Sequence, residues 1–237
     1  MSNNLSNIEK YVLPNGDVYT GQCRKRLPFI ELKGIGELRY MDGRIYKGQF
    51  DFGRPYGIGK LYFNGISSNQ YHYGVFDGDP NGIGLQNWSF GKYIGFFEEG
   101  LMNGWGIRIY RNNIIFGWWE EGKLIKDYSL DISWVIDKLN KRIMQGYCGN
   151  MFHVSTLNEV SFYYGIAPYY CKSSGSEVMG IGIRFCNNGS IIVGEEAFYD
   201  IAGYKISGDV DIYINHPRNT IKGWRWENGK QIHFRHN

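Results

Sequence analysis

The chain has 237 residues and a formal net charge of only +3, from 26 basic and 23 acidic residues. A charge this small does not call for a nucleic-acid partner, and none is expected. With 33 glycines, 19 tyrosines, 14 phenylalanines and 7 tryptophans but only 6 prolines, the composition predicts an all-β protein of short strands and tight turns rather than a helical one.

The N-terminal segment, residues 1–15, is interpreted as a cap on the first strands of the chain. It has no apolar run behind basic residues, and no window of the chain approaches the roughly 20 apolar residues that a membrane span requires. We therefore expect a cytoplasmic protein, at most peripheral to a membrane. The four cysteines, with no CxxC pair among them, favour free thiols over a zinc site or a disulfide framework, although one or two disulfides stay open. No metal or cofactor is expected.

From Gly16 to Leu124 the sequence repeats a pattern of aromatic, any, glycine, any and apolar residue. In four of the copies a GxG pair comes next, which permits a bend or bulge between strands, and then a strand-like run and a turn. The five aligned copies are Tyr19/Gly21/Cys23, Tyr46/Gly48/Phe50, His72/Gly74/Phe76, Tyr93/Gly95/Phe97 and Ile115/Gly117/Trp119. Each unit predicts one β-hairpin, and ten strands pairing edge to edge would make a sheet on the order of 48 Å long. Because a mid-strand glycine leaves space beside it, we expect an aromatic ring to cover it.

The stretches YKGQFDFGRPYGIGKLYFNG and YIGFFEEGLMNGWGIRIY resemble MORN repeats, and the resemblance extends over residues 16–124. It implies an elongated, curved antiparallel sheet of consecutive hairpins. MORN-like proteins are associated with scaffolding, membrane attachment and lipid binding, and some bacterial relatives resemble antitoxin or immunity components. The chain departs from the pattern at Cys23 and an insertion in the first copy, at His72 in the third, and in the missing GxG of the fifth.

Residues 127–146 change character. Ile132, Val135 or Ile136, Leu139 and Ile143 recur at helical spacing and predict one amphipathic helix. An open sheet has edges that need covering, so we expect a capping helix, with a membrane-surface or partner-binding helix as the alternative. Residues 147–237 predict a C-terminal β-region of degenerate repeats that either continues the sheet or folds back on it.

The preferred functional interpretation is a non-enzymatic scaffold that binds a protein partner or another copy of itself. Tyrosine and tryptophan suit such a surface because they contribute large contact areas with few rotatable bonds. Strand alternation places Tyr73, Phe96 and Trp118 on the face opposite the predicted core. These three residues are the candidate partner-binding set.

A second hypothesis rests on uneven charge. Residues 16–61 carry nine basic and five acidic side chains, whereas residues 66–124 carry four basic and six acidic ones. The basic end could hold anionic phospholipid. Its candidate residues are Arg24, Lys25, Arg26, Lys33, Arg44 and Lys47.

A third hypothesis is an enzyme in the C-terminal half, with Glu195, Asp200 and His216 as its best polar residues. The stretches GEEAFYDIAGY and INHPRN resemble pieces of SET lysine methyltransferases. However, they occur in the reverse order here, and too few residues come after the predicted helix for such a domain.

The glutamate pairs Glu98/Glu99 and Glu120/Glu121 occupy equivalent turns of the fourth and fifth repeats. We interpret them as solvated turn charge rather than as an acid–base pair.

Overall fold

The fold was obtained as a computed structural model, which describes residues 8–26, 29–110, 113–137, 150–156, 159–171, 177–186, 189–195, 208–214, 220–227 and 230–233. Nearly all of these residues lie in antiparallel strands. The predicted all-β class is therefore confirmed, and the strands belong to two sheets.

The first sheet has eleven strands, each hydrogen-bonded to its neighbours in chain order. They are β1 (Glu9–Val12), β2 (Val18–Arg26), β3 (Phe29–Arg39), β4 (Ile45–Asp51), β5 (Arg54–Tyr62), β6 (Tyr71–Asp77), β7 (Asp79–Trp88), β8 (Gly91–Glu98), β9 (Leu101–Tyr110), β10 (Asn113–Glu120) and β11 (Lys123–Asp127). The ten strands predicted from the repeats are β2 to β11. The eleventh, β1, comes from the segment expected to be a cap, and it pairs with β2 along its whole length.

The second sheet is also in chain order and has seven antiparallel strands. They are β12 (Asn150–Thr156), β13 (Glu159–Cys171), β14 (Glu177–Cys186), β15 (Ser190–Glu195), β16 (Gly208–Ile214), β17 (Thr220–Glu227) and β18 (Lys230–His233). The predicted C-terminal β-region thus forms a sheet of its own. In its described part, Gly182 of β14 faces both Gly165 and Gly194, as the glycines of the first sheet face one another.

The repeated glycines of the first sheet form one row across its strands, because each lies directly opposite a glycine of the next strand. The pairs are Gly21–Gly36, Gly36–Gly48, Gly48–Gly59, Gly59–Gly74, Gly74–Gly84 and Gly84–Gly95. We call the side of the sheet that carries Tyr19, Tyr46, His72 and Tyr93 the core face, and the other side the reverse face.

Tyr46 shows why this row must be glycine. Its side chain is fully buried, and a Cβ built on Gly59 would overlap its ring, while one on Gly48 would lie 2.6 Å from its hydroxyl oxygen. The phenol donates a hydrogen bond of 2.9 Å to the carbonyl oxygen of Gln49. Tyr19 and His72 cover Gly36 and Gly84 in the same way, which confirms the predicted pairing of rings with glycines.

A β-bulge stands beside Tyr19, Tyr46 and His72 and shapes each hairpin. The register shifts between Gly48 and Phe50, so Gln49 has no partner across the β4–β5 ladder. Its carbonyl accepts the tyrosine hydroxyl, and its side-chain Oε1 accepts the backbone N–H of Ile58 at 2.8 Å. Gln22 does both in the first repeat, with Ile35 as the N–H donor at 2.9 Å. The bulge therefore has its hydrogen bonds satisfied locally, as an ordered feature of a sheet requires.

The chain turns helical after β11. A 3-10 helix runs over Ser129–Ile132, and residues 133–137 are α-helical. Asp127 still pairs with Gly117 in the sheet, and its carboxylate accepts the N–H and hydroxyl of Ser129, so helical structure begins just beyond the predicted first residue. Ile132 and Val135 are buried, as the predicted apolar stripe requires. The rest of that prediction, residues 138–146, lies outside the described residues.

Candidate binding face

The reverse face changes character along the first sheet. One row of side chains, next to the glycine row, crosses the strands in the order Thr20, Glu37, Lys47, Lys60, Tyr73, Leu85 and Ile94. Thr20 is exposed and the next four are partly exposed, but Leu85 is 6% exposed and Ile94 is fully buried. In this row the side chains of β2 to β6 are open to solvent and those of β7 and β8 are buried, and we call the β2 to β6 part the open part of the reverse face.

A cluster of one lysine and three tyrosines lies in this open part. The Nζ of Lys60 is 3.7 Å from the ring centroid of Tyr71 and 4.9 Å from that of Tyr62. The two rings are 6.4 Å apart, and Tyr73 stands directly opposite Lys60 on β6. We call Lys60, Tyr62, Tyr71 and Tyr73 the Lys60 cluster. Burial raises the pKa of Tyr71 and of Tyr73, so both phenols stay neutral donors near neutral pH.

The charge around the Lys60 cluster is positive. Glu37 accepts hydrogen bonds from both Arg39, at 2.6 Å, and Lys47, at 2.7 Å, and Lys47 lies opposite Lys60. Among the described residues Lys60 has no carboxylate partner of its own. Three cations thus share one carboxylate on this part of the sheet.

A groove of about 310 Å³ opens nearer the hairpin ends of β3, β4 and β5. Its lining residues are Lys33, Gly34, Ile35, Gln49, Phe50, Asp51 and Tyr56. Ile35 is 59% exposed and Tyr56 is 42% exposed, and the 68% exposed ring of Phe52 meets the Tyr56 ring edge-on at 5.6 Å. Lys33 pairs with Asp51 at 2.5 Å, so the charges that border the groove cancel. This groove offers a solvent-exposed apolar contact surface.

The three predicted partner-binding residues are not brought together. Tyr73 belongs to the Lys60 cluster. Phe96 lies on β8 opposite the fully buried Ile83, and Trp118 lies on β10, where its indole N–H donates to Glu120 at 2.9 Å. All three side chains are partly exposed. Of the three, only Tyr73 belongs to the open part of the reverse face.

The predicted anion-binding residues are held in ion pairs. Lys33 pairs with Asp51, and Lys47 pairs with Glu37. The hydrogen bond from Lys33 lowers the pKa of Asp51, which fixes this carboxylate in its charged form. The remaining pairs are Arg24–Glu31 at 3.5 Å, Lys25–Glu9 at 2.9 Å and Arg44–Asp42 at 2.7 Å. The side chain of Arg26 lies outside the described residues. An anion approaching the five described cations would have to compete with the acids already there.

Sequence reasoning missed Lys60, Tyr62 and Tyr71, and also Tyr56 and Ile35. Ile35, Tyr56, Lys60 and Tyr62 lie on the second strands of their repeats, which alternation counted along the first strands does not reach, whereas Tyr71 lies two residues before Tyr73 on the first strand of the third repeat. Counted along β5, alternation finds Tyr56, Ile58, Lys60 and Tyr62 at every second position, and this is the signal that could have found the site.

His72 is the one fully buried histidine among the described residues. It occupies the position of Tyr19 and Tyr46 but has no hydroxyl, and neither ring nitrogen has a hydrogen-bond partner. Burial lowers its pKa to about 3. The ring meets Phe76 and Phe97 edge-on at 5.2 and 4.5 Å. Its surroundings are those of a neutral core residue rather than of an acid–base catalyst at neutral pH.

The third hypothesis finds no site in the part of the chain that the structure describes. Asp200 and His216 lie outside it, as does the side chain of Glu195, the last residue of β15. Glu98, Glu99, Glu120 and Glu121 are exposed at hairpin ends, as expected for solvated turn charge. No three His, Cys, Asp or Glu side chains among the described residues are grouped as a metal site would need.

Cys23 and Cys186 are buried in the core, whereas the side chains of Cys148 and Cys171 are not described. In the described ranges, no helix is both long and apolar enough to cross a bilayer.

No protein-family model matches the chain, and a search of curated proteins finds no match.

Proposed function

We propose that the chain is a non-enzymatic, MORN-type binding module whose open reverse face holds a protein partner. The observation that supports this most directly is the Lys60 cluster beside the apolar groove. Aromatic and cationic side chains next to exposed apolar surface are the composition of protein–protein hot spots. The glycine row beneath them gives this surface a stiff support, because ring and backbone are packed without space to move.

Anionic phospholipid is the weaker candidate. Five of its six predicted residues are ion-paired, and the side chain of the sixth is not described. The uncompensated charge around Lys60 is two units, which at about 1 kcal/mol per basic residue gives roughly 2 kcal/mol of attraction to an acidic membrane. That is too little for stable attachment on its own.

Site-specific photo-cross-linking in cells of the native source tests this proposal. A photoreactive phenylalanine analogue replaces Tyr73 or Tyr56 in the full chain, and the matched control replaces Phe90, a 74% exposed residue at a turn outside this face. We expect defined protein adducts from positions 73 and 56 but not from position 90. Equal adducts from all three positions, or adducts to lipid alone, would contradict the proposal.

A further inference from the structure

The strand β5 presents a continuous track of side chains on the open reverse face. Tyr56, Ile58, Lys60 and Tyr62 stand at every second position, and the pairing of β5 with β6 is unbroken from Tyr56 to Tyr62. Tyr56 lines the groove, whereas Lys60 and Tyr62 belong to the Lys60 cluster. The groove and the positive charge therefore lie along one strand.

The groove end of the track fits one large apolar side chain. Its volume of about 310 Å³ is at the lower limit of ligand pockets, which is too small for a folded surface to enter but sufficient for a single anchor. Ile35 and Tyr56 supply apolar walls, and the exposed ring of Phe52 packs against Tyr56. Because Lys33 and Asp51 neutralise each other there, this end selects for an apolar group rather than a charged one.

The Lys60 end of the track fits a carboxylate. Lys60 rests against tyrosine rings without an acidic partner among the described residues, and Arg39 and Lys47 must share Glu37. Two positive charges are thus left uncompensated. An incoming carboxylate would meet Lys60 and could accept a hydrogen bond from a neighbouring phenol.

Resting on the proposed function, we infer that the partner docks through an extended acidic segment with one large apolar anchor. The anchor enters the groove at Tyr56 and Ile35, and an acidic residue meets Lys60. Tyr56 and Lys60 are four residues apart on a strand that rises about 3.3 Å per residue, so the two ends are about 13 Å apart. In an extended partner the acidic residue therefore lies about four positions from the anchor.

The test uses a random 12-residue peptide display library selected on the full-length chain. We expect selected peptides to be enriched in Asp or Glu at about four positions from a Phe, Trp, Leu or Ile. The best peptide is then synthesised with a fluorophore, and its binding is followed by anisotropy. Affinity should fall as salt rises from 50 to 300 mM, because the acidic contact is screened.

Three variants separate the contacts. K60E should weaken binding at least tenfold, and I35S should weaken it several-fold through the groove. K123E is the matched charge control, because Lys123 is exposed on β11 and its replacement changes the charge of the chain by the same amount. It should leave the affinity within twofold. Unchanged thermal unfolding of K60E and I35S shows that any loss is not a loss of folding.

Selected peptides without acidic enrichment, or equal losses for K60E and K123E, would overturn the inference. The inference would also be overturned if no peptide were selected and the chain instead bound phosphatidylserine vesicles in a way that K60E abolishes. If protein adducts still form at position 73 while the peptides show no acidic preference, the proposed function stands and only the partner's chemistry is wrong.

Discussion

At the scale of single residues, the repeat is defined by what a tyrosine hydroxyl does at a bulge. Tyr19, Tyr46 and Tyr93 each donate to the carbonyl oxygen three residues on, at 2.5, 2.9 and 3.3 Å. His72 occupies the same position in the third repeat and reaches no acceptor. The repeat pattern shows this substitution in the sequence, but only the structure shows that two ring nitrogens are left buried and unpaired.

The variant H72Y should restore the hydrogen bond, now to the carbonyl of Val75. We expect a gain of about 1–2 kcal/mol in unfolding free energy at pH 7, since it adds a buried hydrogen bond and removes unsatisfied nitrogens. The pH dependence gives a second signature. The folded pKa of His72, about 3, lies below its ordinary value of 6.5, so the unfolded chain binds the proton first.

The His72 contribution to stability is therefore complete above pH 6.5. It is lost as the pH falls from 6.5 towards 3, by up to about 1.4 kcal/mol per pH unit. Urea unfolding of the wild type, H72Y and H72F between pH 7.5 and 4.5 measures both effects. Both variants should lose this part of the acid sensitivity, but only H72Y should gain the hydrogen bond. Equal acid sensitivity in all three proteins would show that His72 titrates normally.

At the scale of the hairpin, the sequence predicts strand pairing and most turns, and its GxG pairs indicate a bend or bulge between strands. The Asp42-Gly43 and Asn64-Gly65 pairs predict hairpin turns because both residue types tolerate positive φ, and Gly43 and Gly65 have the positive φ that such turns need. The tighter turns at Phe52-Gly53, Glu99-Gly100 and Glu121-Gly122 place both central residues at positive φ, which is a type I′ turn. Phenylalanine and glutamate are unusual there, so residue preference alone does not indicate this geometry.

The GxG pairs indicate where the bulges stand, because glycine there permits a bend or bulge between strands. Gln22, Gln49 and Val75 each face three residues of the next strand, so the extra residues lie on β3, β5 and β7. They include the first glycine of each GxG pair, Gly34, Gly57 and Gly82, which has positive φ. The glutamine side chains then satisfy the opposite N–H groups. Counting alternate residues along the first strand of each repeat still assigns the correct core face. This works because the ring and the first glycine both come before the register shift in that strand.

The variant G59A tests the packing of ring on glycine. Gly59 does not have a positive φ, so alanine meets no backbone strain, but its Cβ would overlap the ring of Tyr46. We expect a loss of about 1–3 kcal/mol from overpacking. Denaturant unfolding of G59A, Y46A and the double variant measures the coupling. In the Y46A background G59A should cost much less, and strictly additive losses would show that the ring is not what requires glycine.

At the scale of the whole molecule, local patterns predicted the sheets, but they could not show which face is open. Strand alternation assigns Lys47, Tyr73, Phe96 and Trp118 to the reverse face, but it does not distinguish them by exposure or by their neighbours. Their exposure depends on packing between residues far apart in sequence, which periodicity does not record. The excess of basic residues at one end of the first sheet was also a poor guide to an anion-binding site. Lys33 pairs with Asp51 and Lys47 pairs with Glu37 across neighbouring strands, and the sequence does not show these ion pairs.

Thiol labelling of variants that each add one cysteine maps where the reverse face closes. Thr20 and Ile94 occupy the same row of the first sheet, yet Thr20 is exposed and Ile94 is fully buried. We expect T20C to react with a maleimide at the rate of an exposed thiol and I94C to be protected by at least a hundredfold, with peptide mass mapping to exclude the native cysteines. In denaturant both should react alike, which controls for intrinsic reactivity. If I94C reacts in the native protein as fast as T20C, the reverse face is open along its length, and the binding face would have to be extended to Phe96.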